Sequence, residues 1–260
     1  MGTPRQESPL RIESLEEGAY WKVVMGGSKG NIIDIKMIQA LSDAFGEAAK
    51  WPELRVLCLE GEGKHFSFGA SVPEHLPERA GELLPAFHEL FRNMLDTNLV
   101  ILAAVRGQCL GGGLEIAGFC HRVFASKDAK LGQPEIRLGV LAPVASVVLP
   151  ERIGRAHAED LCLSGRILAA EEALRIGLVD EVTDDPGEAA LSYAREHLLS
   201  LSASSLRVAV KAVRHSLRTR LSSDLAVVER IYLNELMETE DAAEGIRAFL
   251  EKREPQWKNR

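Results

Sequence analysis

Residues 100–115 read VILAAVRGQCLGGGLE and join three local signals in one short stretch. Val100–Val105 is a continuous apolar run, which is typical of a strand buried on both faces. Three glycines follow at 111–113, where the missing Cβ lets the backbone approach a ligand closely. Residues 114–119 then predict a short buried helix. A buried strand that runs through glycines into a helix favours an α/β fold.

The junction between the glycines and the helix also indicates a kind of chemistry. The first N–H groups of a helix lack intrahelical partners and lie at the positive end of its dipole. They therefore suit an oxygen atom that gains negative charge during a reaction. The spacing is neither the G-x-G-x-x-G dinucleotide fingerprint nor a P-loop. On the glycines alone, a turn needed only for packing is an equally good interpretation.

A second loop, residues 66–71 (FSFGAS), meets a predicted helix start. Ser71 and Glu74 have the spacing of a capping box, and Pro73 suits the first turn of a helix. Ala70 would then lie where the loop joins the helix, with its N–H free to face a ligand. Capping boxes are common, so this signal is weak by itself.

A third segment, residues 131–139 (LGQPEIRLG), places Glu135 directly after a proline and between glycines. Such a segment is short and conformationally restricted, so it would hold the carboxylate in a fixed position. For a lone glutamate, however, exposure on the surface is the more common outcome.

Hydrophobic periodicity predicts strands that alternate with helices along the first part of the chain. The predicted strands are 20–25, 54–60, 100–105, 122–125 and 129–131. The predicted helices are 35–50, 83–95, 114–119, 144–153, 157–163 and 170–176. From Pro186 onward nearly all the chain is helix-forming. From about Ser204 the chain predicts an amphipathic helical layer, with apolar positions at Leu225, Val228, Ile231, Leu233 and Leu236.

Composition limits the classes of partner. The 260 residues carry a net charge of −7, which argues against a nucleic-acid or anionic-membrane surface as the main partner. The four cysteines form no C-x-x-C pair, so we expect buried thiols in a reducing compartment and no metal site. No apolar stretch approaches a membrane span or a secretory signal. We therefore expect a cytoplasmic protein.

The three segments together resemble the crotonase superfamily, whose central members are enoyl-CoA hydratases. Residues 66–70, 111–115 and 132–136 match that family's signature in order and in separation, and residues 244–253 resemble its closing segment. The resemblance runs from about Trp21 to Lys258. It implies a crotonase-like spiral of strand-strand-helix repeats within residues 1–203. It also implies a C-terminal helical layer at 204–260 that takes part in oligomerisation and closes the CoA site.

The resemblance implies a role for each matching position. The catalytic set would be Glu115 and Glu135 as acid and base, with Ala70 and Gly112 as backbone donors of an oxyanion hole. The positions that would contact the acyl-CoA are Lys29, Ser67, Phe68, Gly111, Val140, Ala142, Val144, Phe249 and Lys252. The substrate itself carries the CoA, so no separate cofactor and no metal are expected. The implied assembly is a homotrimer or a homohexamer.

Two glutamates around one thioester fit addition or removal of water. Water attack on a conjugated thioester leaves an enolate whose charge lies on the thioester oxygen, where two fixed N–H donors are complementary to it. One carboxylate can activate the water while the other supplies the proton, although the sequence does not assign the two roles. Many relatives keep only one of these glutamates, so both together favour a hydratase.

Residues 140–147 (VLAPVASV) are bulkier than the glycine-rich stretch usual in straight-chain hydratases. With residues 68–71 they are similar to the cyclohexa-1,5-diene-1-carbonyl-CoA hydratases of anaerobic benzoyl-CoA breakdown. Water would then add at the far end of a conjugated system in a ring. The alternatives are a linear enoyl-CoA hydratase or isomerase, a CoA thioesterase or dehalogenase, and a non-catalytic member of the fold. The exact acyl group, favoured direction and stereochemistry stay open.

Overall fold

The computed structural model describes residues 8–260, and a six-stranded sheet forms their centre. The sheet order is β1-β2-β3-β4-β6-β9; β1 is antiparallel to β2, and all other neighbours are parallel. Strands β5, β7 and β8 form a second, three-stranded sheet. The strands are β1 (Leu10–Leu15), β2 (Tyr20–Met25), β3 (Val56–Gly61), β4 (Val100–Val105), β5 (Gln108–Leu110), β6 (Arg122–Ser126), β7 (Lys130–Gly132), β8 (Ile167–Ala169) and β9 (Glu181–Thr183).

Ten α-helices and four 3-10 helices occur within the described residues. The α-helices are α1 (Ile35–Ala48), α2 (Pro77–Asp96), α3 (Gly112–Phe119), α4 (Pro143–Ile153), α5 (Arg155–Ser164), α6 (Ala170–Arg175), α7 (Pro186–His197), α8 (Ala203–Val213), α9 (His215–Asn234) and α10 (Glu240–Glu251). The 3-10 helices are Glu16–Gly18, Val72–His75, Pro134–Leu138 and Leu236–Glu238. Within this described part, no helix is long and apolar enough to cross a bilayer.

The central sheet is covered on both faces, which explains the continuous apolar run of β4. Ile101 and Ala103 belong to the main core with α1, α2 and α3, whereas Leu102 and Ala104 pack toward α7 and α8. Successive side chains of a strand point to opposite faces. A strand with helices on both sides must therefore be apolar at every position, and all six residues of β4 are buried.

The predicted α/β class is confirmed, and most predicted elements lie where periodicity placed them. Strands β2 and β4 have the predicted bounds. Helix α2 begins at Pro77, six residues before the predicted start, because its polar first turns carry no apolar period. Helix α3 begins at Gly112 rather than Leu114, so the second and third glycines are helical. Strands β1, β5, β8 and β9 were not predicted. Three of them have only three residues, too few for a period to be recognised.

The predicted capping box at Ser71 and Glu74 is wrong. Residues Val72–His75 form a 3-10 helix, and the Ser71 side chain makes no capping hydrogen bond to it. The Glu74 carboxylate instead accepts from the N–H of Ile35 at 3.1 Å, at the start of α1. The local spacing was right for a cap, but a longer-range partner competes for the glutamate.

The C-terminal helices pack over one end of this core. Helix α9 contacts α2 and α4, and α10 contacts the 3-10 helices Val72–His75 and Pro134–Leu138. The buried positions of α9 are Leu221, Leu225 and Tyr232. Ile231, predicted to lie on the apolar face, is 37% exposed. The buried stripe therefore includes a tyrosine that the apolar pattern did not select.

Candidate active site

Residues Ser67–Ala70 lie between two other chain segments and are hydrogen-bonded to both. On one side, the N–H of Phe68 donates to Gly30 O at 2.8 Å and the N–H of Ile33 donates to Gly69 O at 3.0 Å. On the other side, the N–H of Leu110 donates to Ser67 O at 3.0 Å. The loop is therefore fixed as a strand-like segment beside the glycines that open α3.

The backbone N–H of Ala70 faces those glycines. Ile33 hydrogen-bonds to Gly69 and Ser71, on either side of Ala70, in a parallel bridge. Backbone N–H groups alternate sides along an extended segment, so that of Ala70 points away from Ile33. A Cβ built on Gly112 would lie 3.3 Å from the Ala70 nitrogen, which shows how close the two positions are. Gly112 is the first residue of α3, where the N–H has no intrahelical acceptor. The N–H groups of Ala70 and Gly112 therefore lie close together.

Glu115 lies in the first turn of α3 and is 3% exposed. Its Oε1 accepts a hydrogen bond from the N–H of Ala145 at 2.7 Å, in the first turn of α4. Burial raises the pKa of Glu115 to about 7, although the N–H groups of Ala145 and Val144 act in the opposite direction. A carboxyl with a pKa near neutrality can both accept and release a proton under physiological conditions.

Glu135 is the second residue of the 3-10 helix Pro134–Leu138 and is half-buried. A Cβ on Gly111 would lie 2.6 Å from Glu135 Oε1, so this carboxylate rests directly on the backbone before α3. Burial and, next, the negative charge of Glu115 raise the pKa of Glu135 well above its ordinary value. The two carboxyls therefore affect each other, and their protonation states are properties of the pair.

Gln133 fixes the position of the Glu135 carboxylate through hydrogen bonds. It is fully buried, and with its NH2 group turned toward Glu135 it donates to Oε1 at 3.1 Å and to Oε2 at 3.0 Å. A carboxylate is only an acceptor, so this amide orientation is the one that satisfies both groups. Donors of this kind stabilise the ionised carboxylate and oppose the rise in its pKa.

Ala70, Gly111 and Glu135 line a narrow cleft of about 60 Å³, and Gly112 follows this lining as the first residue of α3. The lining residues are Phe68, Gly69, Ala70, Val72, His75, Gly111, Pro134, Glu135, Leu138, Val140 and Ile246. Ile246 belongs to α10, so the C-terminal layer of the same chain forms part of the wall. Apart from Glu135 and His75, the side chains of this lining are apolar. The cleft thus offers an apolar space with a carboxylate and a backbone donor pair at one end.

The other predicted contact residues lie in three places. Ser67 is buried, and its Oγ donates to Asn31 O at 2.8 Å, which makes it part of the loop scaffold. Ala142 and Val144 are buried in the main core at the start of α4, above Glu115. The exposed positions are Lys29, Phe68, Phe249 and Lys252. Phe68 packs its ring against Gly30, next to Lys29, at the edge of the cleft.

Sequence reasoning missed three polar residues that the structure brings to the site. Gln133 lay inside the quoted segment, but nothing in the pattern distinguished it from a surface amide. Asn31 donates to the carbonyls of Glu62, His65 and Phe66, and so ties down the loop before Ala70. Tyr232 was overlooked because only aliphatic positions of the tail were considered. Tyr232 lies seven residues after Leu225 and eleven after Leu221, a helical spacing that could have identified it as a buried position.

Known enoyl-CoA hydratases are similar to this chain in sequence. The family model for enoyl-CoA hydratase/isomerase matches residues 24–260. The cyclohexa-1,5-dienecarbonyl-CoA hydratase of Thauera aromatica is 51% identical over 253 residues, covering 97% of this chain and 98% of that protein. The 2,3-dehydroadipyl-CoA hydratase of Escherichia coli is 32% identical and covers 88% of this chain and 91% of its own length.

The fold agrees with solved structures as well. An enoyl-CoA hydratase from Mycobacterium avium subspecies paratuberculosis superposes with a TM-score of 0.84 at 27% identity, covering 96% of this chain and 99% of that one. The crotonase-like fold expected from the sequence is therefore confirmed.

Proposed function

This chain belongs to the enoyl-CoA hydratase/isomerase family, and on that premise we propose that it is a hydratase of cyclohexa-1,5-diene-1-carbonyl-CoA. The observation that carries the proposal is that Glu135 and Ala70 line one cleft, with Gly112 beside Ala70 and the charge of buried Glu115 acting on Glu135. The identity to the Thauera enzyme supports the ring substrate. The reaction adds water to the conjugated ring or removes it.

The reaction begins at the thioester oxygen. The N–H groups of Ala70 and Gly112 bind this oxygen and stabilise the negative charge that it gains when water attacks the ring. One such donor is typically worth about 3–4 kcal/mol in the transition state. In this ring the water oxygen forms its bond to the carbon β to the thioester rather than at the far end of the conjugated system, because attack on the double bond next to the carbonyl shifts the π electrons into an enolate. A proton then returns to a ring carbon, so the product has gained one water.

Glu115 and Glu135 divide the proton transfers. Burial raises the pKa of both carboxyls, and the charge of Glu115 raises that of Glu135 further, so the pair favours a state in which the two carboxyls share one proton. The ionised member takes a proton from water, and the protonated member supplies one to carbon. Two mutually coupled acids are suited to this because neither is fully ionised near neutral pH.

The wall of the cleft suits a ring rather than a mobile chain. Val72, Leu138, Val140 and Ile246 present branched apolar side chains opposite Glu135. Ala142 and Val144 are buried in the main core at the start of α4, where the N–H of Ala145 holds Glu115 in place. Apolar contact with a rigid ring loses little conformational entropy, which favours a cyclic acyl group.

The CoA portion would lie along the exposed edge of the same cleft. Phe68 contributes its carbonyl and ring to the adenine, and Lys29 binds a phosphate beside it. Phe249 and Lys252, at the end of α10, close the site from the C-terminal layer. Both Lys29 and Lys252 are exposed, as phosphate-binding side chains must be before the ligand arrives.

The chain would act as a homotrimer or homohexamer in the cytoplasm. Support comes from the exposed apolar side chains of Ile136, Leu163 and Ile167, of which Leu163 is 72% exposed. Ile136 lies beside Gly165, between the other two in the chain, so we treat the three as one patch. Ile136 is adjacent to Glu135, so a neighbouring subunit on this patch would also brace the site. Light scattering of purified protein would measure the subunit number, and a monomer would contradict the assembly.

One experiment tests the function directly. Purified protein is offered cyclohexa-1,5-diene-1-carbonyl-CoA and crotonyl-CoA, and mass spectrometry measures the gain of one water. We expect a kcat/KM for the cyclic ester at least tenfold above that for the linear one. The reverse preference would favour a linear enoyl-CoA hydratase. Release of free CoA would indicate a thioesterase, and a double-bond shift without water would indicate an isomerase.

A further inference from the structure

Tyr232 of α9 is fully buried, and its hydroxyl has no hydrogen-bond partner among residues 8–260. The ring packs in one hydrophobic cluster with Val140 and Ile246, which both line the cleft. Tyr232 therefore lies in the layer next to the acyl space. Its hydroxyl is a polar atom in otherwise apolar surroundings.

A buried hydroxyl without a partner is unfavourable for folding. It has lost its hydrogen bonds to water without gaining others, whereas a phenylalanine of the same shape would avoid that cost. Such a group is accounted for if its partner arrives with a ligand. The nearest ligand space is the cleft behind Val140 and Ile246.

His75, which lines the cleft, does not supply the missing partner. The centroids of the His75 and Tyr232 rings are 6.5 Å apart. His75 Nδ1 is 2.9 Å from Ser71 O, and since a carbonyl only accepts, Nδ1 carries the proton. Burial lowers the pKa of His75, so the ring is neutral and Nε2 is an acceptor. An oxygen placed between the two rings could accept from Tyr232 and donate to His75.

The surroundings of Tyr232 keep its phenol protonated. Burial raises the pKa of the phenol, and the charges of Glu135 and then Glu115 raise it further. The hydroxyl is therefore available as a donor at any working pH. The neighbouring ring of His75 lines the cleft together with Glu135, so Tyr232 lies beside this part of the lining.

We propose that the Tyr232 hydroxyl donates a hydrogen bond to the reacting water oxygen, which becomes the hydroxyl group of the ring product. In the proposed mechanism this oxygen exchanges protons with Glu115 and Glu135, and in the product it is the ring hydroxyl, a polar atom in an otherwise apolar space. The ligand class is a hydroxylated cyclic acyl thioester. The inference rests on the proposed hydratase function and adds a third side chain to the site.

The test compares Tyr232→Phe with a matched control, Tyr20→Phe. Tyr20 is equally buried but lies in β2, in the cluster on the opposite face of the sheet. Turnover of the cyclic diene ester and the Tm are measured for the wild type and both variants. The same three proteins are also made in a Glu115→Gln background, in which turnover should be slowed by a factor of about 10² to 10⁴. Calorimetry then gives the Kd of two ligands, the hydroxycyclohexenecarbonyl-CoA product and cyclohexenecarbonyl-CoA, which lacks the hydroxyl.

We expect Tyr232→Phe to lower kcat about tenfold or more, the effect of losing roughly one hydrogen bond in the transition state. Its Tm should be unchanged or higher. The preference for the hydroxylated ligand, about tenfold in the parent, should fall to near one, and Tyr20→Phe should keep it. An unchanged preference in Tyr232→Phe, or a lower Tm with normal kcat, would overturn the inference. Failure of the wild type to hydrate the cyclic ester would instead count against the proposed function.

Discussion

The side chain of Glu115 caps a helix other than its own: its Oε1 accepts from the N–H of Ala145 at 2.7 Å, at the start of α4. The carboxylate thus lies at the positive end of one helix while belonging to the first turn of another. Both helix ends favour a negative charge there, which offsets part of the cost of burial. Glu115 can therefore be nearly completely buried and still titrate near neutral pH.

Replacing Glu115 by Gln should remove a pH-dependent contribution to stability. The pKa of Glu115 rises on folding from 4.5 to about 7, so the folded state binds more protons than the unfolded state between these values. This contribution to the free energy of unfolding is fully present below pH 4.5 and is lost as the pH rises to 7. It amounts to at most about 3 kcal/mol. The free energy of unfolding, measured with denaturant at pH 5 and at pH 8, should decline less between these values in the variant than in the wild type. Equal declines would contradict the raised pKa.

The same variant should lose hydration activity by a factor of about 10² to 10⁴, the usual worth of a general acid or base. The amide oxygen of Gln can still accept from Ala145, so the fold should be kept. Steady-state kinetics and circular dichroism would measure the two properties. Undiminished turnover in a folded Glu115→Gln protein would remove this residue from the mechanism.

Gln133→Met should move the pH profile without changing the fold. The two amide donors stabilise ionised Glu135, so their loss should raise the pKa of this carboxyl further. In the plot of kcat against pH, we expect the limb that reports Glu135 to shift to higher pH. We also expect kcat to fall about tenfold or more, with KM little changed. A matching loss of kcat at every pH would show that Gln133 acts through packing alone.

Gly111→Ala should displace Glu135. Gly111 has a φ of 51°, and a Cβ there would lie 2.6 Å from Glu135 Oε1, so the substitution is strained and also collides with the carboxylate. We expect kcat/KM to fall about a hundredfold or more. The matched control is Gly81→Ala in α2, where a Cβ meets nothing within 4 Å.

The control should keep full activity and gain roughly 0.5–1 kcal/mol in the free energy of unfolding. Comparable activity losses in the two variants would show that the effect is not specific to position 111.

Replacing Asn31 should lower the free energy of unfolding measurably. It is buried with a φ of 51°, and its amide donates to three carbonyls of the loop that leads to Ala70. Asn31→Gly keeps the left-handed backbone but loses the donors, which should cost about 1–3 kcal/mol. Asn31→Ala should cost roughly 1 kcal/mol more, because a Cβ without a polar group disfavours this conformation. Urea unfolding would measure the loss of stability in both variants. Equal losses would show that the left-handed backbone conformation at residue 31 does not contribute to the effect.

The sequence was sufficient for the class of the fold, and it singled out the two glutamates whose catalytic roles stay a prediction. An apolar strand followed by glycines and a helix start is a local pattern, and the order of the three segments added specificity. The sequence could not give the positions of β5, β8 and β9, because a strand of three residues is stabilised mainly by the strands that pair with it. Nor could it show that Glu74 bonds to Ile35 instead of capping its own helix.

What the sequence by itself determined is which residues have the required chemistry: two acids, a glycine run and an apolar segment at 140–147. Only the tertiary structure decided how these groups act on one another. Contacts between residues distant in the chain, such as Glu115 with Ala145 and Gly111 with Glu135, set burial and mutual charge, and hence the pKa values. They depend on distance in space, which local periodicity does not encode. For the same reason Tyr232 could be recognised as a candidate only after α9 had been placed against the cleft.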